Sequence, residues 1–264
     1  MNPVYYRKWF IRVSELWFDG KGCPSDSDIV RYMHVPDRVE GALCDEWYTL
    51  VISLSSNEDE ILKSMDDGTR YEIRRSLTKD DLRYQHVCPS NVEDVREFMA
   101  AYEREMVPQN GASRLVPERL VRMAEVGLLD LSTMKDNAGH TLSWHVHVVT
   151  AGIARLFYSV SATSTINDQQ QKNLRGRANR LHHWMDMLRF RNAGYAKYDF
   201  GGYCPETADA KKSQISRFKR GFGGQVAVTY NCVYPLTVTG KIALAGWRYF
   251  GAAAGSTVGP HEET

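Results

Sequence analysis

The sequence predicts a mixed α/β fold, of the α+β kind, in which helices flank a central, mostly antiparallel, twisted sheet. Two helical patterns come before three consecutive strands, and a helix, a strand, a short helix and a last strand follow. This order lacks the regular strand–helix alternation of a Rossmann fold. With 264 residues, of which 43% are hydrophobic, the chain can bury a sizeable core.

The first part of the chain is predicted to form strands and then helices. Aromatic and β-branched residues nearly alternate with charged ones in "VYYRKWFIRV" (4–13), which is typical of one half-buried strand. A second strand is predicted at "YTLVISLS" (48–55). Ser56 or Asn57 can cap a helix that has Glu60 in its first turn, and the helical pattern continues beyond it.

Periodic spacing of apolar residues predicts the remaining elements. Spacings of three and four indicate helices, whereas alternation or short apolar runs indicate strands. Turn residues separate the three consecutive strands, at 136–139 and at 151–152. The predicted elements are helices over 91–106 and 118–127, strands over 128–135, 141–152 and 154–163, a helix over about 174–192, a strand over 193–202, a short helix over 212–224 and a last strand over 225–235.

Composition and charge exclude several classes of protein. There are 33 basic and 32 acidic side chains, so no nucleic-acid partner is expected. The five cysteines are scattered and never in C-x-x-C spacing, which predicts reduced thiols rather than disulfides or a zinc site. The sequence shows neither a signal peptide nor an apolar stretch of about 18 residues. It therefore predicts a soluble, cytoplasmic protein without a membrane partner, and residues 255–264 are expected to form a disordered tail.

A small, cationic stretch, "NLRGRA" (173–178), comes where the helix over 174–192 is predicted to begin. Helix N-termini carry unpaired N–H groups, and small residues let a pyrophosphate approach them closely. Arg175 and Arg177 could add charge-assisted hydrogen bonds to its oxygens. From these residues alone, a solvated loop that starts a helix is the simpler interpretation.

The order of strand, "NLRGRA" and helix resembles motif A of the GNAT acyltransferases, [QR]-x-x-G-x-[GA], with Asn173 in place of the usual Gln or Arg. The resemblance implies a GNAT-like fold in which the loop amides hold the pyrophosphate of acyl-coenzyme A. It also implies that the preceding strand binds the pantetheine arm. The residues so assigned to the cofactor are Ser159, Val160, Asn173, Leu174, Arg175, Gly176, Arg177 and Ala178.

A second resemblance covers roughly residues 48–232. "YDFGGY" followed by "SQISRFKRGFGG" resembles the FemAB-like branch of the same superfamily, as does "TLVISLSSNEDEILKSM" followed by "TRYEIRRSL". FemAB proteins transfer amino acids from aminoacyl-tRNA to a UDP-linked peptidoglycan precursor. This chain looks too short for their two GNAT-like halves. It is more similar to single-domain FemAB-like enzymes that acylate nucleotide-linked amino sugars. The implied division is an N-terminal extension over 1–47, the acyltransferase domain over 48–235 and a C-terminal segment over 236–264.

These resemblances imply an N-acyltransferase that moves an acyl group from acyl-CoA, its co-substrate, to a nucleotide-linked amino sugar. The acceptor places the enzyme in surface polysaccharide (lipopolysaccharide or O-antigen) biosynthesis. The implied reaction needs no metal, and the enzyme could form a homodimer. The residues assigned to the acceptor are Arg74, Gly201, Gly202, Tyr203 and Lys219. Two alternatives stay open: an aminoacyl-tRNA-dependent transferase of the FemAB type, and a non-catalytic module that binds a glycan or a partner protein.

N-acylation needs a neutral amine, a path for its proton and stabilisation of the thioester oxyanion. Asp199 could bind the amine and take its proton, or it could be a structural carboxylate. His145 and His147 share one face of a strand, so His147 is a candidate base, or both rings are structural. Tyr158 could donate to the leaving thiolate, or it could pack in the core. The predicted catalytic residues are His147, Asp199 and Tyr158.

Overall fold

A computed structural model describes residues 3–87, 92–106, 115–150, 152–162, 168–205 and 207–252, with side chains described up to residue 246. The predicted disordered tail, Cys88 and Ala151 lie outside these ranges. The strands are β1 (Val4–Lys8), β2 (Ile11–Trp17), β3 (Ile29–Val35), β4 (Leu43–Ser53), β5 (Arg83–Val87), β6 (Leu129–Lys135), β7 (Thr141–Thr150), β8 (Ile153–Ser161), β9 (Lys197–Gly202) and β10 (Gln225–Pro235). The helices are α1 (Glu58–Ser64), α2 (Asp67–Lys79), α3 (Val92–Glu105), α4 (Pro117–Glu125), α5 (Gln169–Asn192), α6 (Ala210–Arg220) and α7 (Val238–Ala252).

All ten strands belong to one sheet, in the order β1-β2-β3-β10-β4-β9-β8-β7-β6-β5. The pairs β2–β3 and β8–β9 are parallel and the others are antiparallel, which confirms the predicted mixed, mostly antiparallel sheet. Residues 1–47 contribute β1–β3, which join the sheet through β10, and β4 crosses the predicted boundary at residue 47. The division of the chain into domains stays a prediction.

The sheet curls so that its distant strands meet. The ring centroids of Trp17 on β2 and Phe157 on β8 are 5.3 Å apart, although four strands separate β2 from β8 in the sheet order. Helices α3 and α4 fill the concave side with one apolar core, and α1, α2, α5 and α6 cover the convex side with another. Each buried Val, Leu, Ile, Phe or Met side chain contributes about 1.5–3 kcal/mol to folding. The two cores therefore hold the sheet between them.

Local sequence signals explain several of the element boundaries. Asn57 caps α1, as one of the two predicted alternatives, and its backbone N–H donates to the Glu60 carboxylate, which completes a capping box. The turn between β6 and β7 and the end of α4 also lie where turn residues predicted them. Among the described residues, none of the helices combines the length and apolar character that a membrane crossing requires.

The stretch "VYYRKWFIRV" forms a hairpin, which corrects the prediction of a single strand. Lys8 pairs with Ile11, so Trp9 and Phe10 form a two-residue turn between β1 and β2. Trp9 has φ +58°. Turns of this kind normally contain Gly, Asn or Asp, and their absence here hides the turn from sequence analysis.

Helix α5 begins at Gln169, five residues before the predicted start. Asp168 is its cap, and its side chain accepts a hydrogen bond from the Gln171 amide. Residues 169–173 are therefore the first turn of the helix rather than part of a loop. As a result, residues 173–178 lie inside α5 and not at its N-terminus.

Cys44 and Cys232 form a disulfide, so the prediction that the cysteines are reduced is wrong for this pair. The two residues face each other in the antiparallel ladder between β4 and β10, although 188 residues separate them along the chain. Spacing in the sequence cannot show such a pairing, because it follows from the register of two distant strands. Cys23 and Cys204 are free thiols.

Candidate functional site

The candidate site is a fork between β8 and β9. Their parallel pairing runs only from Ile153 and Lys197 to Arg155 and Asp199. Beyond that point, among the described residues, β8 stays paired with β7 and β9 stays paired with β4. A gap therefore opens between the C-terminal ends of the two strands, and we call it the β8–β9 fork.

A buried charge network closes the apex of the fork. Arg155 donates to Asp199 at 2.7 Å, and the Gly201 amide donates to the other carboxylate oxygen at 2.8 Å. Thr49 on β4 donates to that same oxygen. These contacts occupy the carboxylate, so the geometry favours the structural role that the sequence left open for Asp199. A carboxylate held in this way fixes the two strands at the point where they separate.

Gly201 brings β9 close to β8 at the fork. Its φ is +71°, and a Cβ on it would lie 2.8 Å from the carbonyl oxygen of Leu156. Both the backbone conformation and the available space therefore require glycine. Gly201, which the sequence assigned to the acceptor, therefore makes its close approach to the β8 backbone.

A β-bulge lies on the β8 side of the fork. Val146 pairs with Tyr158 and His147 pairs with Leu156, so Phe157 is an extra residue in β8. A bulge takes one residue out of the ladder and redirects its backbone groups. Ser159 and Val160 follow the bulge, beyond the last pair with β9. The structure thus brings these two predicted cofactor residues to the fork.

Helix α6 ties the other predicted acceptor residues to the end of β9. The Lys219 ammonium donates to the carbonyl of Gly202 at 2.5 Å, and the Arg220 guanidinium donates to the Tyr203 hydroxyl. Gly202 also packs against the ring of Trp47 on β4. Four of the five predicted acceptor residues therefore lie together, whereas Arg74 is on the exposed face of α2.

An open, cationic groove of about 470 Å³ lies between α2 and α5. Arg177 pairs with Asp80 at 2.6 Å and Arg180 pairs with Glu72 at 3.0 Å. Arg75 has a buried Nε with no hydrogen-bond partner among the described residues. We call this feature the basic groove, and it can accept an anion. It is lined by Tyr71, Glu72, Arg75, Lys172, Asn173, Gly176, Arg177 and Arg180.

The predicted phosphate loop needs correction, because residues 173–178 are helical. Amides inside a helix bond to carbonyls four residues earlier, so these amides cannot cradle a pyrophosphate. Residues two apart on a helix point about 200° apart. Accordingly, Arg177 faces Asp80 and the basic groove, whereas Arg175 lies toward Glu105 and Asp136. Burial lowers the pKa of Arg175.

The other members of the predicted loop also have separate positions. Asn173 and Gly176 line the basic groove, and the Asn173 side chain accepts a hydrogen bond from Gln169. Ala178 is buried in the convex core and Leu174 is half-buried. Three of the six assigned residues, Asn173, Gly176 and Arg177, therefore meet at one surface.

His147 lies in a buried network that faces away from Asp199. Its Nε2 is 3.1 Å from the hydroxyl of Tyr198, which precedes Asp199 on β9 and so points to the opposite face of the sheet. Burial lowers the pKa of His147 to about 4. His147 and Asp199 therefore do not act on one amine in this geometry, and the buried imidazole has no contact with the fork.

The same network contains four histidines and one aspartate, all buried, and we call it the histidine cluster. The Ser132 hydroxyl donates a hydrogen bond to Asp186 at 2.7 Å. Ser132 therefore accepts a hydrogen bond from His182 Nε2, and His182 Nδ1 accepts one from the Ser143 hydroxyl. Burial lowers the pKa of His182 and that of its neighbour, His183. Burial alone would raise the pKa of Asp186, but the imidazoles around it hold it well below its ordinary range. The cluster members are His145, His147, His182, His183 and Asp186.

Three cluster residues could also approach one metal ion. Ligand atoms of His145, His182 and Asp186 lie within 4.8 Å of one another. However, His182 uses both nitrogens for serines, and His145 bonds Asp186 at 2.7 Å and Asn179 at 3.0 Å. An ion would have to replace these bonds, so the arrangement fits a hydrogen-bond network better. The adjacent histidines of α5 point in different directions, His182 toward Ser132 and His183 toward Tyr198.

Tyr158 packs among aromatic rings. Its centroid is 5.8 Å from that of Phe98 and 5.3 Å from that of Tyr102, on the concave side of the sheet. This favours the packing role that the sequence left open. Sequence analysis missed Arg155, and the available signal was a single arginine within the apolar strand "ARLFYSV".

Comparisons with known proteins address the fold. No protein-family model matches the chain, and no curated protein matches its sequence. A crystal structure of FemX matches with a TM-score of 0.62 and 12% identity, over 92% of this chain and 85% of that one. The C-terminal domain of a putative lysylphosphatidylglycerol synthetase from Agrobacterium fabrum matches with a TM-score of 0.52 and 11% identity, over 92% and 83%. L-PGS from Bacillus licheniformis matches with a TM-score of 0.51 and 9% identity, over 97% and 85%. The chain therefore shares the fold of these proteins, a mixed α/β fold with a large, mostly antiparallel sheet, which agrees with the GNAT-like fold class that its motifs predict.

Proposed function

We propose that the chain is an N-acyltransferase that works at the β8–β9 fork. The observation that supports this most directly is the end of the β8–β9 pairing at Arg155 and Asp199. The gap beyond it exposes one edge of β8 to an extended acyl donor, which can add to that edge through backbone hydrogen bonds. A fold shared with FemX and the synthetase domain supports acyl transfer in general.

The proposed reaction is a direct attack. The neutral amine forms a bond to the acyl carbon, the carbon–sulfur bond of the thioester breaks, the thiolate leaves with the electron pair and the amine proton passes to water. Backbone amides at the Phe157 bulge are the proposed donors to the developing oxyanion. Asp199 and Arg155 position the strands and do not exchange protons.

The proposed donor is acyl-CoA, whose phosphates lie in the basic groove. The groove is on the N-terminal half of α5, the helix that follows β8, so it lies toward the open end of the fork. Lys172 and Arg75 add positive charge beside the two ion pairs, which suits a pyrophosphate. The proposed acceptor is a nucleotide-linked amino sugar, held near Gly202 and Lys219 as the FemAB-like resemblance implies.

The likeness to FemX favours a second candidate, which is aminoacyl-tRNA-dependent transfer of the FemAB type. The 3′ end of a charged tRNA also carries phosphates, so the same groove and fork would serve it. The nearly balanced charge of the chain weighs against a large RNA contact.

Two assays separate the candidates. Thiol release from acetyl-CoA, measured with and without a UDP-linked amino sugar, is expected to depend on the acceptor. Transfer that requires charged tRNA and ignores acetyl-CoA would support the FemAB type instead. If calorimetry detects binding of neither coenzyme A nor charged tRNA, the remaining candidate is a non-catalytic module.

Variants of the groove test the donor site. Replacing Arg75 and Lys172 together by alanine should weaken coenzyme A binding by more than about tenfold, or about 1.4 kcal/mol. Arg74→Ala is the matched control, because it removes an adjacent charge on the exposed face of α2. Arg175→Ala should have little effect, since this residue faces away from the groove. Equal losses in the control and in the groove variant would remove the groove as the donor site.

A further inference from the structure

Gly176, which lines the basic groove, is not required by the helix that contains it. Glycine inside a helix destabilises the fold relative to alanine. A Cβ on Gly176 would have Arg180 Nη1 as its nearest neighbour outside the helix backbone, at an ordinary contact distance of 3.6 Å. Neither the backbone nor the packing of α5 therefore explains this glycine. Its effect is to leave free space in the groove.

An aromatic ring lies on the opposite wall of the groove. Tyr71 on α2 is 62% exposed and lines the groove. It also interacts electrostatically with Arg177 of α5, so its ring lies beside the groove rather than on the outer face of α2. A single exposed tyrosine is ordinary, but a ring in the wall of a cationic groove offers a flat surface on which a nucleotide base can stack.

The groove keeps an excess of positive charge after its ion pairs are counted. Arg177 engages both oxygens of Asp80, so this carboxylate is occupied although Arg75 lies within its electrostatic range. Arg75 and Lys172 form no ion pair with the residues that the structure describes. The Nε of Arg75 is also buried there without a hydrogen-bond partner. Two cations beyond the paired ones suit a diphosphate.

We infer that the basic groove binds an adenine nucleotide, with its base stacked on Tyr71 above Gly176 and its diphosphate beside Arg75. A free phosphate would need no aromatic ring, and an uncharged sugar would need no extra cations, whereas a nucleotide uses both. Asn173 lines the same groove, and an asparagine amide can pair with the N6 and N7 edge of adenine. A groove of about 470 Å³ falls in the range of small-molecule sites.

The consequence for the reaction rests on the proposed function. Coenzyme A carries an adenine nucleotide, whereas an acyl group on a carrier protein is attached through phosphopantetheine, which has a phosphate and no base. A groove that recognises the base therefore selects free acyl-CoA over an acylated carrier protein. This makes Tyr71 a specificity-determining residue for the donor.

Calorimetry of the full chain with ADP, UDP and pyrophosphate tests the nucleotide site. ADP should bind more than about tenfold tighter than pyrophosphate, because stacking of a base on an aromatic ring has an effect of this size. UDP should bind more weakly than ADP. Pyrophosphate that binds as tightly as ADP would reduce the groove to a phosphate site and overturn the inference. UDP that binds as tightly as ADP would also overturn it, since the groove would then suit the acceptor nucleotide.

Variants of Tyr71 isolate the contribution of the base. Tyr71→Ser should lower the affinity for ADP to that for pyrophosphate and leave pyrophosphate binding unchanged. Tyr71→Phe should keep ADP binding, because stacking needs only the ring. The matched control is Leu77→Ser, which removes another exposed apolar side chain from α2 outside the groove and should change nothing. Equal effects of the two serine variants would contradict the proposed stacking.

Gly176→Leu tests the free space independently. Leucine is a strong helix former and its Cβ has room, so the melting temperature should not fall. The added side chain should nevertheless weaken ADP binding by more than about tenfold, and an unchanged affinity would refute the site.

These probes carry no acyl group, so they separate the nucleotide site from the proposed function. If ADP binds as expected and acetyl-CoA releases no thiol, acyl transfer from coenzyme A fails and the nucleotide site stands. If thiol release depends on the acceptor while ADP and pyrophosphate bind equally, the proposed function stands and the nucleotide site fails.

Discussion

Acidification should destabilise this protein through the histidine cluster. In the folded chain burial lowers the pKa of His147 to about 4, while in the unfolded chain it has its ordinary value of 6.5. As the pH falls from 6.5 to 4, the unfolded state binds a proton that the folded state does not. Stability is therefore complete above pH 6.5 and is lost as the pH falls through that window.

The magnitude follows from the two pKa values. One pH unit of differential proton binding corresponds to about 1.4 kcal/mol. The protonation of His147 in the unfolded state should therefore lower the free energy of unfolding by about 2 kcal/mol at pH 5.0. His182 and His183 act in the same direction, because burial lowers the pKa of both. Asp186 does not contribute at this pH, since its lowered pKa places its loss of stability at stronger acidity.

Urea denaturation at pH 7.5 and 5.0 measures this difference. The comparison is between His147→Gln, which removes one titrating ring from the cluster, and His140→Gln, which removes an exposed ring from the β6–β7 turn. The first variant should show a smaller loss of stability on acidification than the unmodified chain, whatever its stability at pH 7.5. The second should keep the full loss. Equal free energies of unfolding at the two pH values in the unmodified chain would refute the reasoning.

Three more predictions concern the fork and the disulfide. Gly201→Ala should destabilise the chain by about 1–3 kcal/mol, because its Cβ meets the Leu156 carbonyl. Gly194→Ala has similar φ but open space and should cost less, and calorimetric melting that ranks the two equally would contradict this. Asp199→Asn should cost about 3–5 kcal/mol in urea titrations, because it leaves the Arg155 charge buried without its carboxylate, and an unchanged midpoint would contradict that role. Reducing the Cys44 disulfide with a phosphine should lower the free energy of unfolding by about 2–4 kcal/mol, and an identical midpoint with and without reductant would argue against the bond.

Periodicity in the sequence was sufficient for most of the fold. Apart from β5 and α7, which were not predicted, the helices and strands from residue 48 onward follow from apolar spacing and from turn residues, and they lie within a few residues of their predicted positions. The failures have local causes. Trp9 and Phe10 form a turn without turn residues, and Asp168 caps α5 inside a run that looks like a loop. The disulfide depends on the register of strands that are distant in sequence.

The site was predictable only where a motif carried it. The occurrence of "DFGG" together with "FKRGFG" assigned Gly202 and Lys219 to one site, and in the structure Lys219 donates a hydrogen bond to the Gly202 carbonyl. Which face of the sheet a side chain occupies depends on strand pairing, so the sequence could not show that His147 and Asp199, each a candidate base, lie on opposite faces of the sheet. The ion pair between Arg155 and Asp199 joins two parallel strands that are distant in sequence, so residue spacing along the chain cannot predict it.

The position of β3 between β2 and β10 has a consequence for biosynthesis. His34 on β3 bonds Asn231 on β10, 197 residues later. At ribosomal rates of about 5–20 residues per second, β1–β3 emerge roughly 10–40 s before their only link to the rest of the sheet exists among the described strands. Nascent chains therefore expose an unpaired, apolar three-stranded edge until β10 has been synthesised, and chaperones that hold such edges should determine the yield of this protein in a host cell.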